Sequence, residues 1–469
     1  MASGGEAVLF AALPEQAPAE RVGCGLPRLR CAERDQLEWR PVSLDGLLAE
    51  DHRVRLVWGF VEGLDLTPLL GSIKAVAGRP GHPSADPRIL LALWLYATVE
   101  GIGSARAVAR CCEEHIAFQW LCGGVGMNAK TLADFRVDHG AVLERLLVDS
   151  FTALVRTGVA RLDRVAQDGM RVRAAAGAAS FRRQSTLAVC RREAEQALRD
   201  LRAKLDADPG AASRRQAAAR RRAAEDRARR VRAALAVTEE LHARQQAAAR
   251  QDAERAAKAA LQDETGTAKG KAADAASRTP REKEPRASTT DAQARVMKMA
   301  DGGFRPAYNV QLATDTMSAA IAGVSVDNIG SDMGKMRPMN DVLAEAYGER
   351  PRQHLVDGGF VRFDDIEALA QHGVATFAPV PKPRDASRDR HAPHVGDPPG
   401  VADWRRRMGE DEAKQIYKQR AATAECANAQ VRNRGLTRFL VRGVEKVKAT
   451  ALWHALTHNM VCSWRLIEA

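Results

Sequence analysis

Val165–Val172, VAQDGMRV, is the stretch on which the reading of this chain turns. Val165, Met170 and Val172 intersperse with polar residues, the pattern of one bent strand or of a strand–turn–strand with Asp168–Gly169 as the turn-like step. An Asp-Gly step alone is an ordinary turn. Two more acids give it another meaning. Asp357 closes a short apolar run in QHLVDGGF (Gln353–Phe360), and Glu425 sits within the helical segment IYKQRAATAECANAQVR (Ile416–Arg432). Acids on a strand, at a strand end and on a helix are what a two-metal phosphoryl-transfer site needs, because ions about 3.5–4 Å apart must be flanked by carboxylates on rigid elements. The first two acids are 357 − 168 = 189 residues apart, so spacing alone hides the arrangement.

The intervening sequence explains the gap. Residues 181–262 are rich in Ala, Arg, Glu and Gln, with Pro209–Gly210 between two long runs. These strong helix formers predict an antiparallel hairpin or coiled coil, in which Leu198, Leu201 and Leu205 form a thin apolar stripe. Residues 263–290 turn to Gly, Pro, Lys and Ser and read as a linker. The strand pattern resumes in FRPAYNVQLATD (304–315) and AAIAGVSVD (319–327), followed by a helix, the strand bearing Asp357, a helix, the strand ATFAPVP and the helix bearing Glu425. Two short elements are expected to close the chain. This order predicts an α/β fold: a ribonuclease-H-like mixed-sheet core over 161–469, interrupted at 181–290 by the hairpin and linker.

Upstream, residues 41–160 carry helical periodicity, with Gly101 and Gly103 as punctuation and Ser104 as an N-cap. Short helices with tight joints suit an all-α, helix-turn-helix-like recognition domain. Residues 1–40 show no clear period and read as an irregular arm.

Lys plus Arg exceed Asp plus Glu by 71 − 59 = 12 in this 469-residue chain. Such a balance favours a polyanionic partner, most often nucleic acid. The eight cysteines lack zinc spacing, which fits a reducing cytoplasm. The longest apolar stretch, Ile89–Val99, is too short to cross a bilayer. There is no GxxxxGK[ST], so no nucleotide cofactor is expected.

Several blocks resemble the DDE transposases of bacterial insertion sequences. VAQDGMRVRAAAG is similar to the family's first-aspartate strand, and the segment around Tyr308-Asn309-x-Gln311 and the region around Asp357 are similar to further blocks. Tyr417-x2-Arg420-x4-Glu425, followed by Arg432 where the family usually has lysine, looks like the Tyr-Arg-Glu signature. HPSADPRILLALWLYATVEG onward and TLADFR resemble the same transposases' N-terminal domain. The resemblance implies that Asp168, Asp357 and Glu425 hold two Mg²⁺ ions, with Mn²⁺ as a substitute. It also implies double-stranded DNA, terminal repeats and target, as the partner and a homo-oligomer on that DNA. Tyr417, Arg420, Arg432, Asn309 and Gln311 are then expected at DNA near the site, and Arg106, Arg110, Lys130 and Arg136 at phosphates beneath the helical domain. One departure stands out: where the family has proline, an aromatic and glycine after the glutamate, this chain has Cys426–Ala427–Asn428–Ala429. It leaves open an alternative, a noncatalytic DNA-binding descendant of such an enzyme.

Overall fold

Hydrophobic run and helix cap coincide at the first well-buried element. A computed structural model describes residues 41–76, 78, 83–207, 213–262, 284–383 and 387–467. The expectations for residues 1–40, for Pro209–Gly210 and for 263–283 lie outside the described residues. Helices α1 (Arg53–Glu62) and α2 (Thr67–Gly71) lead to α3 (Pro87–Val99), where Asp86 accepts from Arg88 N at 2.8 Å and Pro87 opens the first turn. A helix apolar on every side belongs inside a core, and α3 is buried from Pro87 to Thr98 at all but one position. Then follow α4 (Ala105–Glu114), α5 (Ile116–Cys122), α6 (Ala129–Asp138) and α7 (Gly140–Arg156). Ser104 caps α4 by accepting from Ala107 N, as its position predicts.

The sheet begins with β1 (Arg164–Arg173), one continuous strand. The expected turn at Asp168–Gly169 is absent: Asp168 pairs with Leu312 and Gly169 with Gln311 along an unbroken antiparallel ladder to β5 (Phe304–Asp315). Beyond β5 lie β4 (Arg295–Lys298) and β6 (Ile321–Asp327), antiparallel on different halves of it. On its other side β1 runs parallel to β7 (Gln353–Leu355), and β7 parallel to β8 (Ala375–Phe377). The main order is therefore β6–β5–β1–β7–β8. Helix α10 (Met336–Tyr347) lies between β6 and β7, and α11 (Phe363–Gln371) between β7 and β8.

The insertion leaves and re-enters at one place. Strands β2 (Phe181–Arg183) and β3 (Arg286–Ser288) form a two-stranded antiparallel ribbon, and the Ser180 and Ser288 hydroxyls meet at 2.7 Å. Part of the expected linker, 286–288, is thus strand. The ribbon carries α8 (Gln184–Ala207) and α9 (Arg214–Gln262), packed against each other. Their apolar contact is at the base, where Leu187, Ala234 and Leu235 gather with Ala287. The predicted stripe of Leu198, Leu201 and Leu205 is only half-buried.

The C-terminal half supplies α12 (Pro399–Gly409), α13 (Asp411–Arg420), a π turn (Ala421–Glu425) and α14 (Cys426–Asn433). The chain then forms one helix, α15 (Val444–Ile467), rather than two short elements. Tertiary burial unites it: α15 packs on α3, α6, α7 and β6, its Trp453 Nε1 donates to Arg136 O at 2.9 Å, and Asn459 bonds both Ile321 N and O. No helix among the described residues is long and apolar enough to cross a membrane.

Candidate active site

Alternation along β1 sends Asp168 to one face of the sheet and Gln167, Gly169 and Arg171 to the other. The two faces differ in how their polar groups are used.

On the first face, Asp168 is half-buried. Its Oδ1 accepts from Gly169 N at 2.9 Å, and its Oδ2 from Asn428 Nδ2 on α14 at 2.8 Å. Burial pushes the Asp168 carboxyl above its ordinary range, Arg420 pulls it down, and the charge of Asp357 pushes it up again. Asp357 follows β7 and caps a short 3₁₀ turn by accepting from Gly359 N at 2.7 Å.

Glu425 is the last residue of the π turn, and Arg420 Nη2 reaches its Oε1 at 2.7 Å. Residues five apart on a regular α-helix point about 140° away from one another. Widening to i→i+5 spacing brings them together, and such turns recur at functional sites. The Arg420 side chain is 14% exposed, against 57% for Glu425. Burial alone would disfavour its charge, but Tyr417, Asp168, Glu425 and Asp357 together hold Arg420 protonated. Arg420 is thus hydrogen-bonded to one predicted acid, Glu425, and is stabilised by the charge of the other two. Tyr417 is half-buried, and burial raises its hydroxyl pKa. Arg432 is exposed on the last turn of α14.

Carboxylate and amide oxygens are the donors that hard divalent ions take. Each acid here keeps lone pairs beyond the hydrogen bonds it accepts, and Asn428 Oδ1 is buried without a partner. The donor chemistry fits a divalent ion. Among the described residues, however, no three His, Cys, Asp or Glu side chains already stand grouped to hold one.

The second face is closed. Asp332 Oδ1 accepts from Asn309 Nδ2 at 2.8 Å and Gln311 Nε2 at 2.7 Å, while Oδ2 accepts from Arg171 Nη2 at 2.8 Å. Gln167 Nε2 donates to Gln311 Oε1 at 2.9 Å. A Cβ at position 169 would lie 2.3 Å from both Asp332 Oδ1 and Gln311 Nε2, so the glycine is there for close approach. This corrects two sequence assignments: Asn309 and Gln311 are fully buried and donate their side-chain amides to Asp332. Tyr308 is likewise interior, its hydroxyl donating to Asp291.

Arg136 is a third correction. It is buried, donates to Gly103 O and stacks over Trp94 at 4.8 Å, so it holds helices together instead of meeting phosphate. Arg106, Arg110 and Lys130 are exposed, with Lys130 paired to Asp134. Sequence reading missed Asn428, whose signal is its place one helical turn after Glu425, and Asp332, whose loop carries no local signal.

Two family models match the chain: "Transposase domain (DUF772)" over residues 42–138 and "Transposase DDE domain" over residues 400–462. The first match spans α1–α6, and the second runs from α12 into α15, so Arg420, Glu425 and Asn428 fall within the residues that the DDE-domain model matches. Both agree with the resemblance to DDE transposases of insertion sequences. No curated protein and no solved structure matches significantly.

Proposed function

We propose that the protein is a DNA transposase that binds the terminal inverted repeats of an insertion sequence and cleaves and joins DNA strands. The observation that carries this reading is that one helical segment meets two of the acids: Arg420 is bonded to Glu425 across the π turn, and Asn428 of the helix that follows is bonded to Asp168 on β1. Strand order supports it: three antiparallel strands beside two parallel ones, β6–β5–β1–β7–β8, suit a ribonuclease-H-like core.

In this reading the three carboxylates hold divalent ions, two Mg²⁺ per site. Such ions would supply a deprotonated nucleophile and neutralise charge at the phosphorus. In cleavage a water oxygen bonds to phosphorus and the bond to the 3′-oxygen breaks, leaving a 3′-hydroxyl. In joining, that 3′-hydroxyl attacks a target phosphodiester and the target's own 3′-oxygen leaves. One phosphodiester replaces another, so no nucleotide is consumed. Arg420 and Arg432 would bind the scissile backbone, and Tyr417 would pack beside it. Exposed Arg106, Arg110 and Lys130 would give phosphate contacts that position the helical domain on the repeat. Pairing two element ends requires at least two copies of the chain.

The test is a labelled duplex carrying the flanking element's repeats, incubated with the full chain and Mg²⁺. Cleavage and joining by wild type, lost in D168N, D357N and E425Q, are expected. Repeat binding without cleavage would instead establish the noncatalytic alternative that Cys426–Ala429 leaves open.

A further inference from the structure

The residues after Glu425 depart from the family pattern, yet one of them is built into the site. Asn428 is 6% exposed. Its Nδ2 bonds Asp168 Oδ2 across 260 residues of chain. A carboxylate only accepts hydrogen bonds, so the amide nitrogen must face Asp168 and the orientation of the group is fixed. The remaining atom, Oδ1, is buried with no hydrogen-bond partner. An amide buried in this way is costly unless it is used. Here half of it is spent on Asp168 and the other half is idle.

Geometry gives the bond its consequence. Asn428 and Glu425 lie three residues apart at the start of α14, one turn from each other. Asp168 otherwise has its own strand's Gly169 N as a hydrogen-bond donor and Arg420 as an electrostatic neighbour. The Asn428–Asp168 bond is thus a direct polar link from the helix that follows Glu425 to the strand bearing the first acid.

We infer that Asn428 is a positioning residue of this site: it fixes the Asp168 carboxylate in register with Glu425 and leaves a neutral amide oxygen among the acids. The altered sequence after Glu425 is then a different construction of the same site. This inference rests on Asp168 being an ion-holding acid, and the test separates the two.

Mn²⁺ binding to the full chain is measured by calorimetry, with the paramagnetic resonance signal of bound Mn²⁺ and thermal unfolding recorded alongside. Asn428→Leu keeps the volume and removes both polar atoms. It is expected to weaken Mn²⁺ binding about tenfold, the worth of one hydrogen bond to a charged group, and to alter the resonance signal. Asn428→Ser, which regains a donor, is expected to recover at least threefold of that loss. If Asn428→Leu does not fold, Asn428→Ala is read in its place. Mn²⁺ affinity within twofold of wild type in the folded variant, while D168N loses binding, overturns the role of Asn428 alone. An equal loss in Asn428→Ser overturns it too. Unchanged Mn²⁺ binding in D168N removes the ion-holding reading of Asp168, and the inference with it.

Discussion

Asp168 on one face of β1 and Asp332 packed against the other have opposite surroundings. Asp332, its side chain 12% exposed, is saturated: two amides and a guanidinium donate to it, and Gly169 makes room for it. Asp168 on the other face has fewer donors, a neighbouring acid in Asp357, and a carboxyl raised by burial. Under the proposed function, the contrast separates structural from functional polarity. A buried acid whose lone pairs are filled locks a fold together, whereas one left under-satisfied beside like charges is poised to take a cation.

The strongest way to break this comparison is to remove each acid in turn. D168N is expected to lower strand cleavage about a thousandfold, roughly 4 kcal/mol of barrier, with little change in thermal unfolding. D332N should do the reverse: lower the unfolding temperature and leave Mn²⁺ affinity within threefold of wild type. A D332N protein that unfolds normally but no longer binds Mn²⁺ would show that the closed face belongs to the site.

Next in size is Gly169→Ala, which tests the wall between the two faces. The added methyl meets Asp332 and Gln311 at 2.3 Å, and overpacking of this kind costs about 1–3 kcal/mol. Denaturant unfolding measures it, and an unchanged midpoint would mean that the network yields easily.

A smaller effect concerns pH and the strand that precedes Asp357. Burial drives His354 on β7 down to about 3, and burial, followed by Arg434 and Arg136, does the same to His454 on α15. Both are neutral in the fold, while the unfolded chain protonates near pH 6.5. The unfolded state therefore binds more protons between about 6.5 and 3, and stability falls as pH drops through that window, by at most about 1.4 kcal/mol per pH unit per histidine. Urea unfolding across a pH series checks this, and His354→Gln should flatten the slope.

The smallest effect is expected at the exposed cations of the helical region. Arg106→Ala and Lys130→Ala should each weaken repeat binding a few-fold and reduce the slope of log affinity against log salt by about one. Arg136→Ala should instead lower the unfolding temperature, because that side chain is interior.

Much of this was legible along the chain. Ser104 announced its cap, the apolar runs at 304–315 and 319–327 announced β5 and β6, and the Ala-Arg-Glu composition announced the helices α8 and α9. Local physics decides such features, since capping, alternation and propensity act within a few residues. Asp168–Gly169 misled because an Asp-Gly step is turn-like by itself, and the ladder to β5 overrides that preference. Asn309, Gln311 and Arg136 misled because polar residue types are mostly exposed, and burial here is compensated by partners distant in sequence.

Most helices, the long strand runs and the three acids worth watching could be read from the amino-acid sequence, because periodicity and residue chemistry are local properties. Only the tertiary structure decided which polar groups meet. The β2–β3 ribbon closes the insertion, β1 is sealed by Asp332 on one face, the π turn brings Arg420 to Glu425, and Asn428 reaches Asp168 on the other. Each is a contact whose energy depends on burial and on a partner that local sequence does not name.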